Sequence, residues 1–132
     1  MIRYDVIKNF VVTTLGCTCP DEVFRTISLE DDALIIGNLP ISFKIIIGNR
    51  LLLYFLSAHN LTRPKEQLKA IIEAAACERD ENSYNRARIV LIMNDGNTTG
   101  NEVLSLFNRL KGADEKVHLH MVSQDEIPSF MA

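Results

Sequence analysis

The run Leu51-Leu52-Leu53-Tyr54-Phe55-Leu56 is apolar on both of its alternating faces. A strand has only two faces, so this pattern demands cover above and below the sheet that carries it. Helices elsewhere in the chain supply one cover. A second copy of the chain is the simplest source of the other, so self-association as a homodimer is expected.

The segments around this run are of strand type as well. Leu34-Ile35-Ile36 and Phe43-Lys44-Ile45-Ile46-Ile47 precede it, with Gly37-Asn38 and Gly48-Asn49 between them. A glycine at the first turn position suits a type II′ hairpin, so the spacing predicts a three-stranded meander. Pro40, which has no N–H to give to a ladder, weakens the first junction. The repeated Ile-Ile-Gly-Asn string at 35–38 and 46–49 follows from the two turns and needs no internal duplication.

Helical spacing flanks the meander. Ile2, Val6, Ile7, Phe10, Val11 and Leu15 form one stripe of a helix over 2–15, and Gly16 fits its left-handed stop. A second short helix is expected to begin at the cysteines that follow. Thr18 with Asp21 resembles a capping box, Pro20 suits a first turn, and Val23, Phe24 and Ile27 would face inward. Thr62 is a cap for a helix from Arg63 to about Glu78, whose inward stripe is Leu68, Ile71, Ile72 and Ala75. The mixed charges from Glu78 to Arg88 read as a solvated connector. Strand 88–94, helix 101–111 closed by Gly112, and strand 116–122 then make a βαβ unit. The expected fold is one α/β domain over 1–132, a two-layer sandwich: a helical hairpin, the meander, a helix and the βαβ unit on one mixed sheet.

Composition narrows the function classes. With 47% hydrophobic and 23% charged residues the chain belongs among folded globular proteins. A formal net charge of -3 and scattered Lys and Arg give no basic stripe, so neither nucleic acid nor a membrane surface is an expected partner. Asp5 and Lys8 interrupt any signal-peptide core, and the chain is expected to be cytoplasmic. Three cysteines without an export signal read as reduced thiols.

Against that background Cys17-Thr18-Cys19 is the first candidate site. Cysteines this close in a turn can approach disulfide distance, and so small a ring is strained and easily reduced. The start of the following helix would stabilise a thiolate there. The pair is therefore a candidate catalytic dithiol or metal-ligand pair, and equally two small residues in a tight corner. His118 and His120 share a face of a strand and would complete a Cys2His2 zinc set, or else mark the wet side of an edge strand. Cys77 and the isolated His59 are most simply structural. The loop 94–101 precedes a helix, as anion sites do, but it carries Asp95 and Glu102 rather than a cation, and Thr99 with Glu102 reads as a capping box. No motif names a cofactor or a small-molecule ligand. Two functions stay open: a small thiol-redox or metal-binding protein working through Cys17 and Cys19, and a non-enzymatic interaction module that self-associates through its sheet.

Overall fold

The structure, a computed structural model, describes residues 8–14, 27–30, 34–36, 39–41, 43–61, 63–93, 100–112, 116–123 and 125. It is an α/β fold, as the alternating periodicities predict. A five-stranded mixed sheet is built from β1 (Ile27–Glu30), β4 (Phe43–Ile47), β5 (Leu51–Ser57), β6 (Arg86–Met93) and β7 (Val117–Ser123), in the order β1-β4-β5-β6-β7. A separate hairpin pairs β2 (Leu34–Ile36) with β3 (Leu39–Ile41). The long helices are α1 (Pro64–Glu81) and α2 (Gly100–Lys111).

β5 sits at the centre because only there are both of its faces covered. It pairs antiparallel with β4 and parallel with β6, and all six residues from Leu51 to Leu56 are buried. Since β5, β6 and β7 are neighbours in sequence order, crossovers of one hand place α1 and α2 on the same face. Leu52, Tyr54 and Leu56 lie on that face with Ile89 and Leu91 of β6, against Leu68, Ile71 and Ala75 of α1 and Phe107 of α2. The opposite face gathers Ile45, Leu53, Phe55, Val90 and Val122 under Phe10 and Val11 of the N-terminal helical segment. Phe10 and Phe55 stack at 5.8 Å between centroids, tilted by 38°. Each of these side chains contributes about 2 kcal/mol by leaving water.

The cover on both faces of β5 thus comes from one chain, and the reason for expecting a second copy from that strand falls away. Three local expectations also change. Ile27 is the first residue of β1, not part of a helix, and lies opposite Ile47 on the edge of β4. Leu34–Ile36 leaves the main sheet for the hairpin with Leu39-Pro40-Ile41, where an exposed Pro40 faces Ile35 and no central ladder needs its missing N–H. At the β4–β5 turn both Gly48 and Asn49 have positive φ, at 59° and 53°, which is the sign pattern of type I′ rather than II′. Arg50 N–H donates to the Ile47 carbonyl at 3.0 Å to close it.

Thr62 lies outside the described residues, and Arg63 caps α1. Its N–H donates to Gln67 Oε1 at 2.9 Å, while the buried Gln67 side chain donates back to the Asn60 carbonyl at 3.3 Å. α1 runs three residues beyond its expected end, to Glu81, and so turns the first part of the charged connector into helix. α2 does end at Gly112, whose φ of +60° is the left-handed stop anticipated for it.

Candidate functional site

The last turns of α1 build the most developed polar cluster among the described residues. Lys44 and Tyr54 lie directly opposite each other across the β4–β5 ladder, so both side chains stand on the face that α1 covers. The inward stripe of α1 continues past Ala75 by three residues to Glu78, which comes down onto them. Tyr54, 2% exposed, donates its hydroxyl hydrogen to Glu78 Oε1 at 2.5 Å, and the Lys44 ammonium pairs with Oε2. One carboxylate thus receives a phenol on one oxygen and a cation on the other, with the Lys44 and Glu78 side chains only 16% and 21% exposed. Charge-assisted bonds of this kind are short and strong, and they offset much of the desolvation that half-burial imposes.

Beside the cluster is an open cleft of about 690 Å³. Lys44, Tyr54 and Glu78 form its inner wall. Ile36 of the small hairpin and Ile46 of β4 give it apolar sides, and Cys77, Glu81 and Tyr84 line it along the end of α1. The Cys77 thiol is exposed and donates to Glu81 Oε1 at 3.4 Å. That hydrogen bond, with the charge of the same carboxylate, raises the thiol's pKa, so Cys77 is a neutral donor rather than a thiolate nucleophile at neutral pH.

On the other face of the sheet, β6 and β7 carry a row of cations and imidazoles. His118 and His120 do point the same way, as strand alternation requires. Each faces a guanidinium: Arg86 Nη1 is 3.3 Å from His118 Nε2, and Arg88 Nη1 is 2.8 Å from His120 Nε2. A guanidinium only donates, so the imidazole nitrogen accepts and the ring proton of His120 resides on Nδ1. Burial, then the charge of Arg88 and the neighbouring His118, lowers the His120 pKa from 6.5 to about 4. A metal ion at Nε2 would have to displace the guanidinium and enter a positive field. Among the described residues no three His, Cys, Asp or Glu side chains gather as a metal-holding group. Cys17 and Cys19 lie outside the described residues, as do the loop residues 94–99 and the side chain of His59.

The neutral His120 predicts a pH dependence. Above pH 6.5 the imidazole is uncharged in the folded and the unfolded chain alike. Between about 6.5 and about 4 only the unfolded chain takes up the proton, so stability falls as pH falls across that window. Urea unfolding at pH 7.5 and pH 4.5 should show His120→Gln losing less stability on acidification than the native chain. Equal losses would mean that His120 titrates normally in the fold.

Glu78 is the member of the polar cluster that the sequence alone does not single out, because it opens a run of mixed charges. The available signal was the helical stripe itself, which from Ala75 steps next to Glu78 and Arg79, and Arg79 is also buried, at 7% exposure. Comparison with known protein families, with curated proteins and with solved structures finds no match to the chain. No helix of the described residues is long and apolar enough to cross a membrane.

Proposed function

We propose that this chain is a binding domain, and that its site is the cleft between the end of α1 and the β4–β5 hairpin. The observation that carries this reading is the Lys44–Tyr54–Glu78 cluster, a largely buried polar group on the wall of a cavity that Ile36 and Ile46 also line. Ligand sites combine these elements: an apolar lining, a few convergent polar groups, and a volume of about 300–1,000 Å³. A screen of small organic fragments by 1H–15N correlation spectra tests it. Amide shifts should concentrate on Ile36, Ile46, Cys77 and Tyr84, and Tyr84→Ala should weaken those fragments about tenfold while leaving the remainder of the spectrum folded. Fragments that cluster on another surface, or none that bind at millimolar concentration, would sink the reading.

A second reading keeps one specific support. His118 and His120 stand on the sheet face that the N-terminal segment covers, and Cys17 and Cys19 follow that segment in the chain. In this reading the two cysteines form an exchangeable disulfide or ligate a soft metal. Thiol titration of the three cysteines should then give three free thiols in reductant and one without it, or one bound metal ion per chain. Three free thiols under both conditions and no metal would make the pair a structural corner.

A further inference from the structure

We infer that the cleft's ligand is a small organic cation, an ammonium or amidinium head on a short apolar body; this rests on the cleft being the binding site. The lining carries one lysine against two glutamates, and the lysine is already engaged by Glu78. Glu81 is left facing the opening with only a neutral thiol as its donor among its described contacts. An entering anion would meet both carboxylates and would have to take Lys44 from Glu78.

The backbone adds a second, independent source of negative potential. Glu78, Asp80 and Glu81 all occupy the last turn of α1, the negative end of the helix dipole, where the Glu78, Arg79 and Asp80 carbonyls are capped by the N–H groups of Asn82, Tyr84 and Ser83. Acidic residues disfavour that end of a helix. Arg79 offsets one of them through its 3.0 Å bridge to Asp80, on the side away from the cleft lining. A cation between Glu81 and the mouth of the cleft would relieve the remainder. Tyr84, next to that end, offers an aromatic face of the kind that attracts cations. Ile36 and Ile46, which line the same cleft, can take an apolar stem of a few carbons.

The test uses three probes with the same body and different heads: hexylammonium, hexanol and hexanoate, titrated into the full chain and followed by 1H–15N spectra at low salt. Hexylammonium should bind in the cleft at least about fivefold more tightly than hexanol and at least about tenfold more tightly than hexanoate, and the preference should shrink at high salt. Glu81→Gln, an exposed change, should at least halve the preference for the ammonium and leave the alcohol unchanged. An ammonium that binds no better than hexanol, or a preference that Glu81→Gln leaves undiminished, overturns the cation assignment while the cleft remains a site. Failure of all three probes to shift any cleft residue overturns the assignment together with the cleft reading.

Discussion

Glu78→Ala is expected to lower the stability of the chain by about 2–4 kcal/mol, a loss in Tm of roughly 10 °C. The variant takes an anionic partner from Lys44 and an acceptor from the Tyr54 hydroxyl, and both groups are mostly buried under α1, where water replaces the carboxylate poorly. The measurement that isolates the cause is a triple replacement. Lys44→Met, Tyr54→Phe and Glu78→Leu together remove all three polar groups at once, and the combination should recover most of the loss, because an apolar set of similar volume leaves little to desolvate. A triple variant less stable than Glu78→Ala alone would show that the cluster stabilises the fold outright. In that case its place on the cleft wall would need no functional explanation.

Phe55→Ala is expected to be the larger loss, about 3–5 kcal/mol. Phe55 is fully buried in the central strand, and its ring holds Phe10 against the sheet. The void therefore opens on the face that the N-terminal segment covers. Hydrogen exchange should show protection falling first at residues 8–14, before β5 and β6 are affected. Phe10→Ala should show a coupling of about 1 kcal/mol with Phe55→Ala in a double-mutant cycle, the size of an aromatic pair. Additive losses would mean that the two rings merely share a neighbourhood.

What the sequence made legible was local. The Gly48-Asn49 turn, the β4 and β5 strands and the Gly112 stop depend on a few adjacent residues, and each was readable in place. The elements that escaped depend on partners far along the chain. Ile27-Ser28-Leu29-Glu30 serves equally in a helix or a strand, and what makes it a strand is the open edge of β4, with which it pairs through to Lys44. Pro40 weakened the first junction of the expected meander, yet nothing nearby said that a separate hairpin would form in its place. The site shows the same division. Lys44 and Tyr54 are conspicuous as polar atoms in apolar runs, but that they share one acceptor depends on Glu78, 24 residues after Tyr54, being brought down onto the sheet by α1. For His118 and His120 the shared face was legible, whereas the opposing arginines, 32 residues earlier in each pair, were visible only once β6 and β7 were set side by side.

The pairing of Lys44 with Tyr54 also bears on the order in which the chain assembles. β4 and β5 are joined by only three residues, so their hairpin can close within microseconds, long before the β5-to-β6 connection brings β6 alongside. An early hairpin would therefore present a lysine and a phenol side by side on an otherwise greasy surface. A helix that docks there with the wrong face would trap both against hydrocarbon. Only the rotation and axial position that deliver Glu78 avoid that penalty. The cluster would thus act as a selector among ways of seating α1, and replacing it with apolar residues would be expected to slow arrival at a single packing even where the finished fold is no less stable.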